Sequence, residues 1–254
     1  MTGVRARRHT VWWGGLALIA VLGIVAALVF FRNQSGDQRD RPQNEAASSD
    51  SSLLALTWGP SLCAVDASVR GCRTGNVGRK GQSFLLHGLW PQPSTEQYCG
   101  VTKQSGKQKA PELPEDVRQR LAGMMSDASV LAPHEWFAHG TCSGVTATEY
   151  FSIATTLTTQ ATAVLDAAFR DAQGRKLTVR SVRDLFDARF GAGSGGRVAL
   201  ACRKAEGRGE VVYEVRLSLP SVRDLRAAGS SLSLGEQLAK APPVPAGCGQ
   251  ARVP

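Results

Sequence analysis

Six cysteines restrict this chain of 254 residues to folds in which cysteine pairs can meet. They are Cys63, Cys72, Cys99, Cys142, Cys202 and Cys248. They form no CxxC pair and no regular Cys/His spacing, so the pattern does not indicate a structural zinc site. An even number in a chain with an export segment instead predicts three disulfides and an oxidising compartment. The sequence alone allows 15 pairings.

The N-terminal residues predict export and anchoring. Residues 1–10 carry three arginines and no acid, which is typical of a cytoplasmic basic tail. Residues 11–31 are an uncharged run, about 31 Å long as a helix, which matches the bilayer core. Because this run ends without a small-residue cleavage site, a transmembrane anchor or uncleaved signal is favoured. Residues 32–52 are polar and predict a disordered linker.

This interpretation makes the chain a single-pass membrane protein whose domain lies outside the cytoplasm. If residues 1–31 are removed, the protein is instead secreted. The expected partners are therefore a membrane, through the N-terminal helix, and whatever the outer domain binds. The formal net charge is +9, of which +6 falls on residues 50–254, and a basic surface suits RNA, DNA or anionic lipid.

Residues 53–254 predict one folded domain. Turn-rich composition predicts loops at 71–81 and 91–112, and Pro133 is expected to end the helical region before it. Glu214 and Arg216 are expected on one strand face together with Val212. Helices and strands follow no regular βαβ order, which predicts an α+β fold. Strands are expected at 53–58, 83–86, 197–203 and 211–219, and helices at 115–127, 148–170 and 181–190.

Three of the four histidines fall in two short segments. His9 belongs to the predicted cytoplasmic tail. His87 lies in LHGLWP at 86–91, and His134 and His139 lie in HEWFAHGTC at 134–142. A lone histidine is more often structural than catalytic, but this concentration favours chemistry.

A metal site is the first alternative for the second segment. A zinc protease needs HExxH, with its histidines four residues apart on one helix face. Here the histidines are five residues apart, which on a helix separates them by about 140°. No third ligand is evident, so neither a metal nor another cofactor is expected.

Two histidines do suit cleavage of RNA. A base must take the proton of the ribose 2′-hydroxyl, and an acid must protonate the leaving 5′-oxygen on the opposite side of the phosphate. Imidazole can do either near neutral pH because its ordinary pKa is about 6.5. A Cys99–Cys142 disulfide, one of the possible pairings, would tie the two segments together.

At these residues the chain resembles the ribonuclease T2 family. FLLHGLWPQ at 84–92 and HEWFAHGTC at 134–142 resemble the family's two active-site segments, and weaker likeness spans residues 53–248. The resemblance implies a single disulfide-bonded α+β domain, with a central antiparallel sheet flanked by helices. It also implies an endoribonuclease that cleaves single-stranded RNA through a 2′,3′-cyclic phosphate without metal. We expect the protein to be a monomer.

The resemblance assigns the catalytic roles. His87 would be the general acid and His139 the general base, and the two would exchange roles in the hydrolytic step. Glu135 would position the phosphate or polarise a histidine. Two alternatives remain from the residues themselves: Glu135 as a buried partner of an arginine, and Trp90 and Trp136 as core residues.

The resemblance also assigns substrate contacts and disulfides. His134 would bind phosphate and Trp90 would stack on a base. Gln92 stands where some relatives carry an acid that contacts the base, so base preference is open. The implied pairs are Cys99–Cys142 and Cys202–Cys248, which leaves Cys63–Cys72.

One position departs from the family pattern. The family commonly has a lysine before the last histidine, and this chain has Ala138. Losing one donor that stabilises the transition state typically costs about 10²–10³ in rate. Either another cation replaces the lysine, with Arg79, Lys80 and Lys103 near in sequence, or the enzyme is slow. The alternative function is therefore a weak or inactive ribonuclease-derived RNA-binding protein.

Overall fold

The computed structural model of the chain describes residues 49–103 and 109–254. The predicted tail at 1–10 and the predicted anchor at 11–31 lie outside these residues, as does most of the predicted linker. No helix within the described ranges is long and apolar enough to cross a membrane.

Within these ranges the chain forms one mixed sheet surrounded by helices. The strands are β1 (Ser51–Trp58), β2 (Phe84–Gln92), β3 (Lys176–Thr178), β4 (Val198–Ala205), β5 (Gly209–Pro220) and β6 (Gln250–Arg252). The helices are α1 (Gly59–Val65), α2 (Arg70–Arg73), α3 (Asn76–Arg79), α4 (Glu115–Met124), α5 (Ala128–Ala138), α6 (Ala147–Asp171), α7 (Val179–Phe190), α8 (Val222–Ala227) and α9 (Leu234–Lys240).

The sheet is antiparallel except at one point. Its order is β2-β1-β5-β6-β3, and β4 pairs with β5 beside this path. The parallel contact joins Val211 of β5 to Arg252 of β6. The predicted α+β fold, with an antiparallel sheet flanked by helices, is confirmed.

One face of the sheet packs against α6 and forms the main core. Alternate residues of β1 point into this core and are fully buried, and Tyr150, Phe151 and Leu157 of α6 are equally buried. A capping box between Thr146 and Glu149 begins α6 by satisfying backbone groups at both positions. The opposite face of the sheet carries His87, Trp90 and Glu214.

A β-bulge in β2 places His87 and Trp90 on the same face of the sheet. β1 pairs Leu56 with Leu86 and then Ala55 with Gly88, so His87 is the extra residue. Before the bulge Leu86 points into the main core, and after it Leu89 does. The bulge therefore reverses the alternation and lets His87 and Trp90, three residues apart, share the opposite face.

A second bulge lies in β5 at Tyr213. The pairing with β4 steps from Ala201–Glu214 to Cys202–Val212. Val212 consequently joins the main core, whereas Glu214 lies beside His87 on the opposite face. The prediction that Val212 shares a face with Glu214 and Arg216 is wrong, because the extra residue changes the alternation between them.

Local differences from the sequence predictions are confined to a few segments. β1 begins at Ser51, inside the predicted linker, and β2 runs on to Gln92 instead of ending at Leu86. The predicted loop at 71–81 contains α2 and α3. Pro133 lies inside α5 and does not end a helix; Asp127 caps that helix by accepting from the Ser129 backbone N–H.

Three disulfides close the described part of the chain. They join Cys63 to Cys72, Cys99 to Cys142, and Cys202 to Cys248. The three implied pairs are confirmed. The second pair begins in the loop after β2 and ends three residues beyond His139.

Candidate active site

β2 contributes a histidine and a tryptophan in edge-to-face contact. The ring centroids of His87 and Trp90 are 5.1 Å apart, and both side chains are partly exposed. Gly88 lies between them, where an added Cβ would overlap the carboxylate of Glu135. Glycine is therefore needed at this position because the carboxylate occupies the space of a side chain.

The end of α5 contributes the second histidine. The helix ends at Ala138, and His139 has non-helical angles (φ −126°, ψ −48°). Its ring lies 5.6 Å from Trp90 and 6.4 Å from His134. The prediction that His134 and His139 point about 140° apart on one helix is therefore wrong, because the helix ends at Ala138.

A packed series of residues holds the two segments together. An added Cβ on Gly140 would overlap the Trp136 ring, so that ring packs directly against the backbone after His139. The Trp136 ring contacts Tyr150 of α6 at 5.9 Å. The Tyr150 hydroxyl donates to the Leu89 carbonyl at 2.7 Å, between Gly88 and Trp90. The core interpretation of Trp136 fits this position.

Glu135 is buried between the two segments. Its Oε2 accepts from Trp90 Nε1 at 2.8 Å, and its Oε1 lies 3.8 Å from His87 Nε2. Within the described residues no arginine bonds to Glu135, so the alternative that Glu135 is the buried partner of an arginine is wrong. The same bond shows that Trp90 contacts the site through its indole N–H.

β5 adds two charged residues that sequence reasoning did not select. Glu214 is 1% exposed, and its Oε1 lies 2.6 Å from His87 Nδ1. It also accepts from Thr57 Oγ1 at 3.2 Å and from Arg216 Nε at 2.8 Å. The signal available in the sequence was a Glu and an Arg inside the otherwise apolar run VVYEVRLSL. Buried charges in such a strand need partners.

The surroundings shift the pKa values of the two histidines in opposite directions. Burial lowers the pKa of His87, but the hydrogen bond to Glu214 and the charges of Glu135 and Glu214 leave it above its usual value. Burial, with His134 and His87 nearby, lowers the pKa of His139 to about 4. At neutral pH this favours a proton on His87 and none on His139.

The neighbouring groups are shifted as well. Burial raises the pKa of Glu135 to about 7. Burial, followed by the charges of His87 and Lys103, lowers the pKa of His134. Burial opposes ionisation of Glu214, but its bond to His87 and its contacts with Arg216 leave its pKa below the usual value.

Three groups of the site could approach one metal ion. One ligand atom each from His134, Glu135 and His139 lies within 4.8 Å of the others. Ligand atoms on a single tetrahedral zinc ion are about 3.3 Å apart. The arrangement would have to contract to bind zinc, and the Glu135 carboxylate already accepts from Trp90.

The remaining predicted residues divide between the site and its edge. Gln92, at the end of β2, donates to the Trp90 and Pro91 carbonyls of its own strand and does not reach the histidines. Ala138 is 1% exposed, and its carbonyl accepts from the Tyr98 backbone N–H at 3.0 Å.

Arg79 and Lys80 are engaged elsewhere, whereas Lys103 lies close enough to the site for its charge to lower the pKa of His134. Arg79 donates to the Thr74 carbonyl, and Lys80 donates to carbonyls of α4. Lys103 lies 5.5 Å above the Tyr98 ring. The described cation that contacts Trp90 is Arg216, whose guanidinium carbon is 5.4 Å from the ring centroid.

Known proteins similar to this chain are ribonucleases or share the fold of one. The sequence profile of the Ribonuclease T2 family matches residues 49–230. A curated ribonuclease of Aeromonas hydrophila is 31% identical over 115 residues, which cover 45% of this chain and 47% of that protein. A probable ribonuclease of Haemophilus influenzae is 31% identical over 119 residues, which cover 43% of this chain and 42% of that protein. The matches thus span less than half the length of these relatives.

A solved structure shares the fold. A variant of RNase MC1, a protein of bitter gourd seeds, in complex with 5′-GMP aligns with a TM-score of 0.50 at 22% identity. The alignment covers 69% of this chain and 91% of that chain.

Proposed function

Because this chain belongs to the ribonuclease T2 family, we propose that it is an endoribonuclease that cleaves single-stranded RNA by two-histidine acid–base catalysis. The observation that carries the proposal is that His87 and His139 both contact the Trp90 ring, at 5.1 and 5.6 Å between ring centroids. Their pKa values are shifted apart, and such separation assigns an acid and a base to one site.

The first step forms a cyclic phosphate. Neutral His139 takes the proton of the ribose 2′-hydroxyl, and the 2′-oxygen attacks the adjacent phosphorus. Protonated His87 gives its Nε2 proton to the leaving 5′-oxygen, so the P–O5′ bond breaks and a 2′,3′-cyclic phosphate forms. In the hydrolytic step His87 accepts a proton from water and His139 protonates the departing 2′-oxygen. Both proton transfers use protein side chains, so the mechanism needs no metal ion.

The other residues bind and orient. Glu135, with a pKa of about 7, holds Trp90 and faces His87, and its protonated form can donate to a phosphate oxygen. His134, next to His139, contacts phosphate, and the exposed part of Trp90 stacks on a base. Gln92 contacts the substrate only if it leaves its present carbonyl partners.

Cyclic-phosphate formation without added metal is the test. The full-length chain is incubated with single-stranded RNA in excess EDTA, and the ends are identified by mass spectrometry. We expect 2′,3′-cyclic phosphate ends, and a loss of at least about 10²-fold in His87→Ala and in His139→Ala. Unchanged cleavage in both variants would refute the mechanism. A requirement for stoichiometric zinc would instead favour the His134, Glu135 and His139 cluster.

A second candidate function is RNA binding with little turnover. Ala138 favours it, because a buried alanine stands where a lysine is expected. This candidate holds if the wild type cleaves no RNA between pH 4 and 8 and Ala138→Lys gives no gain. Efficient cleavage by the wild type excludes it.

The location follows from the disulfides and the N-terminal sequence. Three disulfides in the described residues support an oxidising compartment outside the cytoplasm. Residues 11–31 would anchor the protein in a membrane as a monomer, or would be removed on secretion. The intact mass of the protein purified from its cells distinguishes the two outcomes.

A further inference from the structure

The negative charge of a bound phosphate must be balanced within the candidate site. Only His87 can carry a positive charge there at the start of the reaction, since His139 is neutral when it acts as a base. Phosphoryl transfer concentrates charge on the equatorial oxygens, and a positioned donor at that point typically contributes about 10²–10³ in rate. A cation near both histidines would therefore accelerate the proposed chemistry.

Arg216 is in the right position. Its guanidinium carbon lies 5.4 Å from the ring centroid of Trp90, which contacts both His87 and His139. The side chain is 38% exposed, so solvent and substrate can reach it.

The sheet explains how Arg216 reaches this point. The register of β1 places Ala55 beside Arg216 on one side and beside Gly88 on the other. Both intervening residues are small. A long side chain on β5 can therefore extend across β1 to Trp90 on β2.

Glu214 aims the guanidinium. Its Oε2 accepts from Arg216 Nε at 2.8 Å, while its Oε1 binds His87. Within the described residues this is the only hydrogen bond of the guanidinium, so its terminal nitrogens can donate to another group. Arginine donates two parallel N–H bonds to phosphate oxygens, which a point charge cannot do.

We propose that Arg216 binds the scissile phosphate of RNA and supplies the positive charge that position 138 does not. The inference rests on the proposed function for its rate effect, but not for its effect on phosphate binding. Glu214 then connects the acid His87 to the phosphate ligand Arg216, so that one buried carboxylate positions both.

The test compares Arg216 with an arginine in a matched ion pair. Arg226 donates from Nε to Glu149 at 2.6 Å, is 60% exposed, and lies on α8 away from the histidines. Arg216→Met, Arg216→Lys and Arg226→Met are made in the full-length chain. Melting temperatures establish that each variant is folded. If Arg216→Met does not fold, Arg216→Gln replaces it, since its amide can still donate to Glu214.

Two quantities are measured. The first is kcat/KM on single-stranded RNA. We expect Arg216→Met to lose about 10²–10³-fold and Arg216→Lys to recover at least about tenfold of that loss. The second is the affinity for a fully 2′-O-methylated RNA 10-mer, which cannot be cleaved. Removing one phosphate contact should reduce the slope of log K against log salt by about 0.7. Arg226→Met should change neither quantity.

The outcomes separate the two proposals. A wild type that binds the 10-mer but cleaves nothing refutes the proposed function, and the salt slope still decides on Arg216. The inference is overturned if the wild type is active, the kcat/KM of Arg216→Met lies within threefold of that of Arg226→Met, and the two variants have the same salt slope. The inference is supported if the salt slope is smaller in Arg216→Met and unchanged in Arg226→Met.

Discussion

The Nδ1 atom of His87 lies 2.6 Å from Oε1 of Glu214, a residue 127 positions further along the chain. A carboxylate that also accepts from Thr57 and Arg216 can only accept, so Nδ1 carries a proton. This contact fixes the imidazole with Nε2 directed toward Glu135. The proposed acid, His87, therefore depends on a strand outside both histidine segments.

Glu214→Gln should move the alkaline limb of the kcat/KM profile to lower pH. His87 must be protonated to act as the proposed acid, and its pKa falls when the carboxylate is removed, so kcat/KM should drop several-fold more at pH 8 than at pH 6. The acidic limb, set by His139 near pH 4, should stay in place. The matched control is Glu210→Gln on the exposed part of β5. An alkaline limb that does not move would contradict the positioning role.

Gly88→Ala should remove activity by its effect on Glu135. The added methyl overlaps the Glu135 carboxylate, so the bond from Trp90 to Glu135 cannot form as it stands. We expect at least about 10²-fold lower kcat/KM, and about 1–3 kcal/mol lower stability from overpacking. Gly123→Ala in α4, where a Cβ meets nothing within 4 Å, should be neutral or stabilising. Equal activity of the two variants would refute this account.

Glu135→Gln should stabilise the protein at high pH while reducing cleavage. The folded-state pKa of about 7 lies above the usual value of 4.5, so the folded state favours the protonated form. Stability contributed by the neutral carboxyl is therefore complete below pH 4.5 and is lost as pH rises through 7. The amide has no charge to lose, so its advantage should reach up to about 3 kcal/mol at pH 8 and vanish near pH 4. Urea unfolding at both pH values measures this, and a pH-independent difference would contradict it.

Removing Cys99–Cys142 should affect activity more than removing Cys63–Cys72. The sequence separations are 43 and 9 residues, so loop-closure entropy predicts losses of about 4 and 2.7 kcal/mol for the paired serine variants. The first disulfide also ends three residues after His139, so its loss should lower kcat/KM at temperatures where both variants remain folded. Equal kcat/KM for the two variants would show that the disulfide contributes stability alone.

The two histidine segments could be recognised from sequence because each is a short continuous motif. Gly140 lies against Trp136 of its own motif, whereas Gly88 lies against Glu135 of the other motif, a contact that only the fold brings about. The α+β class and the long helix α6 were also predictable, since their patterns lie within single elements. The predicted roles of His87, Glu135 and His139 stay predictions until the variants are measured.

Other features required the folded chain. His139 turns toward Trp90 because α5 ends one residue before it, and helical spacing could not reveal that. Glu214 and Arg216 face the histidines because their register with β1 places them beside Thr57 and Ala55, and the extra residue in β2 brings Trp90 to the same face. A bulge is defined by the pairing of strands far apart in sequence, so no local pattern encodes it. The sequence by itself identifies the two histidine side chains, whereas the register of the strands decides that the buried carboxylate of Glu214 lies beside His87.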